Sequence, residues 1–211
     1  MKDELLSQSL LVDGPKSPRL ILAHGAGAPM DSDFMAQMTT LLTDRGVGVV
    51  RFEFPYMAQR RHGGSKRPPN RQAELLEYWA KVIQCVGDST QLFIGGKSMG
   101  GRMATMLADE QGVKGLVCLG YPFHPQGKPE KTRIEHLRNL ATPALFVQGS
   151  RDALGSRDEV RDYELPKSIT MNWLEDGNHD LKPRVKSGYN HEQHLMSAAD
   201  SIAAFILQHS G

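Results

Sequence analysis

Three residues carry the clearest chemical promise, and they occur in the order serine, aspartate, histidine. Ser98 lies in Gly96-Lys97-Ser98-Met99-Gly100, a G-x-S-x-G pentad that follows the apolar run Leu92-Phe93-Ile94 and opens a helical pattern at once. A strand-to-helix turn this abrupt forces its central residue into a strained backbone, and glycine on either side leaves room for neighbouring chain. The hydroxyl is then pushed out at the sheet edge, where the next N–H and the helix amino end face developing negative charge. A serine hydroxyl is a weak nucleophile and needs a base that is itself oriented by a carboxylate. Gln148-Gly149-Ser150-Arg151-Asp152 supplies the acid after one apolar run, and Gly177-Asn178-His179 the imidazole after the next. Asp158 lies deeper, near a helix start, and reads as a cap or a surface charge.

The turn His24-Gly25-Ala26-Gly27 can aim a backbone N–H at an oxyanion beside that of Met99. Ala26 is the candidate donor, with Gly25 as the alternative, and His24 reads as a residue that fixes the loop. His191, His194 and His209 fall on the final helical pattern and read as solvated, while His136 sits in a short helical stretch. His62 belongs to a basic segment. His124, in Tyr121-Pro122-Phe123-His124-Pro125, reads as lining a pocket or packing a loop. Two nucleotide-binding readings fail. A phosphate-binding loop ending in Gly96-Lys97-Ser98 needs glycine at Gln91, and G-x-G-x-x-G from Gly25 needs glycine at Met30. No metal or organic cofactor is expected.

Positioning these residues requires alternating strands and helices. Apolar or β-branched runs over 19–23, 47–54, 91–95, 113–119, 144–148 and 169–174 read as strands. Helical spacing marks 33–44, with Asp31, Ser32 or Asp33 as cap, then 72–86, 98–110 and 191–208. The order predicts an α/β fold, a mostly parallel sheet with helices on both faces, in one domain over 1–211. Such sheets carry their chemistry beyond the carboxyl ends of the strands, where every motif above falls.

Composition agrees with that architecture. In 211 residues, 39% are hydrophobic and 23% charged, a globular balance rather than a disordered one. Lys plus Arg number 25 against 24 Asp plus Glu, so no global field draws the chain to nucleic acid or an anionic membrane. Cys85 and Cys118 cannot build a disulfide framework and read as buried thiols. No apolar run approaches about 18 residues. The amino end lacks the apolar core of a secretion signal, and Lys2-Asp3-Glu4-Leu5 spells an address read only at a carboxyl terminus. A cytoplasmic location is expected.

Together these motifs resemble the α/β-hydrolase superfamily from Leu20 to the last helix. The chain is similar in detail to its small dienelactone-hydrolase-like group, and to a bacterial branch with testis-expressed and chromatin-complex regulatory relatives in animals. The residues that carry the likeness are His24-Gly25-Ala26-Gly27, Arg51-Phe52-Glu53-Phe54-Pro55-Tyr56, the Ser98 pentad, Gln148 to Asp152 and Gly177-Asn178-His179. The resemblance implies nucleophile, acid and base roles for Ser98, Asp152 and His179. Dienelactone hydrolases proper carry a cysteine nucleophile, so Ser98 does not imply that substrate.

The link 120–143 is too short for a folded lid, which predicts a shallow, open site with no large cap domain. Arg60, Arg61, Lys66, Arg67 and Arg71 form one basic segment; Lys182, Arg184 and Lys186 form another. If both rim the pocket, an anionic substrate is steered in; the balance favours a solvated segment. The expected activity is serine-dependent, carboxylesterase-like hydrolysis of a small ester, thioester or lactone through an acyl-enzyme. The alternative from another class is a non-catalytic binding or regulatory protein on the same scaffold.

Overall fold

The computed structural model describes residues 9–61, 63, 65 and 68–211. The readings made of Lys2 to Leu5, His62, Lys66 and Arg67 lie outside the described residues. The centre is a seven-stranded sheet of β1 (Leu11–Asp13), β2 (Arg19–Ala23), β3 (Gly48–Phe52), β4 (Leu92–Lys97), β5 (Gly115–Leu119), β6 (Ala144–Gly149) and β7 (Ile169–Leu174). Its spatial order is β1-β3-β2-β4-β5-β6-β7. Every pairing is parallel except that of the short edge strand β1 with β3.

The continuous apolar character of β3, β4, β5 and β6 follows from burial on both faces, since every residue in them is buried. The pleat divides the core into two layers. Ile21, Val50, Phe52, Ile94 and Phe146 face one, where α3 (Gln72–Val86) and α4 (Met99–Thr105) contribute Trp79, Val82, Met103 and Ala104. Leu20, Leu22, Val49, Phe93 and Val147 face the other, covered by α1 (Asp33–Thr43) and α7 (His191–Gln208). Trp79 is fully buried and stacks edge-on against Phe52 with centroids 4.7 Å apart. Its replacement by alanine would cost about 3–5 kcal/mol.

Several expectations are refined. The predicted 98–110 helix is two pieces, α4 and α5 (Ala108–Gln111), because its first part tightens into i→i+3 bonds from Met106 and Leu107. Part of the segment read as a basic loop is helical: α2 (Pro55–Arg61) starts at a proline whose ring presets helical φ. Ser32 caps α1 in position but makes no side-chain capping bond. α7 instead carries a reciprocal cap in which Gln193 N–H donates to Asn190 and Asn190 N–H to Gln193. Cys118 is buried as expected, and its burial pushes the thiol up; Cys85 is only half-buried. The link after β5 holds only the short 3-10 turn Glu135–Leu137 and no lid.

Candidate active site

The site is assembled by extending the sheet's ladder one residue past its strands. Lys97 lies beside Leu119, and Leu119 beside Val147, so β4 and β5 end level while β6 runs on two residues, to Gly149 beside Leu174. Ser98 N–H then bonds Leu119 O, Gly120 N–H bonds Val147 O, and Ser150 N–H bonds Leu174 O, each at 2.9 Å. The loops after β4, β6 and β7 are thereby brought to one edge.

Ser98 adopts φ 51° and ψ −114°, a left-handed conformation that costs a non-glycine residue about 1–3 kcal/mol. The flanking glycines are steric necessities. A Cβ on Gly96 would lie 2.6 Å from Ala23 O, and one on Gly100 2.6 Å from His24 O. Trp79 Nε1 donates to Gly100 O at 3.4 Å, which ties the turn to the core.

Ser98 Oγ is 2.9 Å from His179 Nε2, and His179 Nδ1 is 2.8 Å from Asp152 Oδ2. Asp152 is fully buried. Its Oδ1 accepts from Leu154 N–H at 2.8 Å, and its Oδ2 also accepts from Gln148 Nε2 at 2.9 Å. An ionised carboxylate only accepts, so Nδ1 carries the imidazole hydrogen and Nε2 is left to accept from the serine hydroxyl. Asp158 lies elsewhere, exposed in the first turn of α6 (Arg157–Val160), a surface charge rather than part of this chain.

Across Ser98 runs the turn that bears Ala26. Tyr56 Oη donates to Ala26 O at 3.1 Å, and Phe54 N–H donates to His24 Nε2 at 3.1 Å. His24 is left with Nδ1–H for Gly25 O, 2.6 Å away, and burial lowers its proton affinity. It braces the loop, as its position suggested. Among the described residues no protein acceptor meets the N–H of Ala26 or of Met99, the latter at the first position of α4.

Other histidines depart from expectation. His194 is buried, not solvated, with Nδ1 2.8 Å from Leu181 O; His191 and His209 are half-buried and bond to backbone carbonyls. His124 packs its loop: it is buried with Nδ1 2.9 Å from Pro125 O and Nε2 3.4 Å from Glu159. The predicted basic rim is also redistributed. Arg61 meets Glu53 and Asp31, Arg184 meets Asp176, and Arg60 lies over the Tyr56 ring. Arg71, Lys182 and Lys186 are exposed.

Two hollows meet at Ser98 and Ala26. The larger, about 480 Å³, runs past Met99, Arg102, Pro122 and Arg133. The smaller, about 300 Å³, holds Lys97, Phe34, His179 and Asp180. Lys97, Gln148, Tyr56, Arg102 and Arg133 are thus neighbours of the site that the motifs alone did not assign. Among the described residues, no three of His, Cys, Asp and Glu converge so as to hold a metal ion, and no helix is long and apolar enough to cross a membrane.

A parallel sheet covered on both faces, with a strained serine leaving its central strand into a helix, defines the class of α/β proteins built around a nucleophile elbow. The chain belongs to the α/β-hydrolase domain family, which it matches over residues 16–207. Its fold is similar to that of a lidless α/β serine hydrolase from Xanthomonas campestris, at 18% identity and TM-score 0.66 over 94% of this chain and 88% of that one. It is also similar to a monoacylglycerol lipase from Paleococcus ferrophilus, at 16% identity and TM-score 0.69 over 95% and 98%. A dienelactone hydrolase from Anabaena variabilis, at 15% identity and TM-score 0.64, is similar over 94% of this chain and 90% of that one.

Proposed function

We propose that this chain is a serine hydrolase that cleaves a small ester, thioester or lactone through an acyl-enzyme. The observation that carries the reading is the unbroken hydrogen-bond chain from Asp152 through His179 to Ser98, with contacts of 2.8 and 2.9 Å. Ser98 Oγ attacks the carbonyl carbon as its proton passes to His179 Nε2. Asp152, held by Gln148 and the Leu154 amide, stabilises the imidazolium and keeps its orientation. The oxyanion lies against the N–H groups of Ala26 and Met99.

The bond to the leaving group then breaks, and His179 returns the proton to it. Water, deprotonated by the same imidazole, attacks the acyl carbon, releasing the acid and restoring the serine. The open site suits a short or exposed acyl group better than a long buried one. A purely binding role leaves the strained serine and the saturated Asp152 without a purpose.

The test is active-site labelling with a fluorophosphonate beside hydrolysis of p-nitrophenyl acetate. Wild type is expected to do both and Ser98→Ala neither, with an unchanged circular-dichroism spectrum. Equal labelling of wild type and variant overturns the proposal.

A further inference from the structure

The larger hollow beside Ser98 has an uneven charge. Among the described residues that line it there is no aspartate or glutamate, and Arg102 and Arg133 are the charged groups. Elsewhere arginines meet carboxylates: Arg45 with Asp200, Arg51 with Asp13, Arg61 with Glu53, Arg184 with Asp176. Among the described residues, no carboxylate lies within ion-pair reach of Arg102 or Arg133.

Arg102 sits four residues after Ser98, within α4, and both residues line the larger hollow. One guanidinium nitrogen donates to Gln72 Oε1 at 3.1 Å, while its Nε is buried without a partner. Arg133 is held from its backbone: its N–H bonds Phe123 O at 2.7 Å, and its carbonyl accepts from Tyr121 Oη at 2.8 Å.

Burial lowers the proton affinity of Arg102, and the nearby charge of Arg133 lowers it further. The adjacent His136 and Tyr121 offer no negative charge. Burial holds the imidazole's pKa down to about 4 and pushes the phenol up. Two like charges lining one otherwise largely apolar hollow fit a planar anion, as guanidinium groups grip a carboxylate.

The direction of the substrate follows from the base. His179 lines the smaller hollow rather than the larger. It must deliver its proton to the departing oxygen or sulfur, so the leaving group exits on that side and the acyl group lies in the larger hollow. The cation on the leaving-group side is already engaged, since Lys97 Nζ bonds His179 O and lies 3.2 Å from Asp180 Oδ1.

From this geometry we infer that Arg102 and Arg133 form an anion subsite for the acyl group, and that the preferred substrates are half-esters or half-thioesters of dicarboxylic acids. The inference rests on the proposed reading of Ser98 as nucleophile. Hydrolysis then releases the alcohol or thiol together with a dicarboxylate.

The test compares p-nitrophenyl hemiadipate with p-nitrophenyl hexanoate and the methyl-capped adipate, near neutral pH and at two salt concentrations. Wild type is expected to favour the hemiadipate in kcat/KM by roughly ten- to a hundredfold, the effect of one charge-assisted pair. Salt should erode that ratio, and Arg102→Gln and Arg133→Gln should each reduce it about tenfold. In parallel, adipate itself is titrated calorimetrically into Ser98→Ala with and without Arg102→Gln; binding lost with the arginine is expected. Turnover of all three esters without preference, with no adipate binding, overturns the subsite and leaves the hydrolase reading standing. Arginine-dependent adipate binding without turnover of any ester sustains the subsite and overturns the hydrolase reading.

Discussion

Lys97 Nζ donates a 2.8 Å hydrogen bond to the carbonyl oxygen of His179, so the residue just before the serine clamps the loop that delivers the imidazole. The ammonium is buried, and burial lowers its proton affinity while Asp180 raises it. A single side chain thereby couples the end of β4 to the loop after β7. Lys97→Met should lower kcat on p-nitrophenyl acetate by roughly ten- to a hundredfold with little change in KM, because a small displacement of the base disrupts proton transfer. Fluorophosphonate labelling should slow in parallel. Lys97→Arg should not restore the rate, since a planar guanidinium cannot replace a compact ammonium in that space. Unchanged kcat in Lys97→Met would remove the clamp.

Gln148 is fully buried at the end of β6 and uses both ends of its amide. Its oxygen accepts from Tyr121 N–H at 2.7 Å; its nitrogen donates to Tyr121 O, Asp152 Oδ2 and Gly155 O at 2.9–3.1 Å. Gln148→Leu strands these groups and should destabilise the fold by about 2–4 kcal/mol in urea titration. Gln148→Glu preserves shape but sets a second carboxyl against Asp152, so kcat near neutral pH should fall even where the variant is folded. Wild-type stability in the leucine variant would show that these bonds are dispensable.

Ser98 stores backbone strain that only glycine can relieve. Ser98→Ala and Ser98→Gly both lose the hydroxyl, so their comparison isolates the left-handed φ. Ser98→Gly should melt about 2–4 °C above Ser98→Ala, matching roughly 1 kcal/mol in a chain of this size. Differential scanning calorimetry of the two variants decides it; a glycine variant melting at or below the alanine variant means the turn is relaxed.

The sequence carried most of this arrangement in legible form because Ser98, Asp152 and His179 each follow a strongly apolar strand, and the chain order constrains which loop each occupies. Gln148 was read only as part of the motif that ends in Asp152; its role as a brace escaped notice because Tyr121, 27 residues away, meets it only when β5 and β6 pair. α2 was hidden for a different reason: only Tyr56 and Met57 of it are buried, too few to form a periodic stripe among its arginines. His194 could have been found. It lies four residues before Ala198 and eight before Ile202, on the stripe that packs against the sheet. Arg102 carried a similar signal in its spacing from Ser98, but its lack of a carboxylate partner is visible only in three dimensions.

His136 supplies a pH dependence whose sign can be worked out. Its Nε2 is 2.9 Å from Thr105 Oγ1 and 3.3 Å from Tyr121 Oη. Both hydroxyls donate to backbone carbonyls, Thr105 to Arg102 O and Tyr121 to Arg133 O, so each is left to accept and Nε2 bears the hydrogen of a neutral ring. Burial first, and the charge of Arg102 second, hold its pKa down to about 4 from an ordinary 6.5. Above pH 6.5 the ring is neutral in folded and unfolded chains alike, and its contribution is fully present. As the pH falls from 6.5 toward 4, the unfolded chain binds a proton that the folded one refuses, and that stability is lost. The melting temperature of wild type minus that of His136→Gln should therefore be flat above pH 6.5 and decline below it, with effects of carboxylates common to both proteins cancelling. A difference that stays constant down to pH 4 would mean that the ring protonates in place, beside Arg102, at no cost.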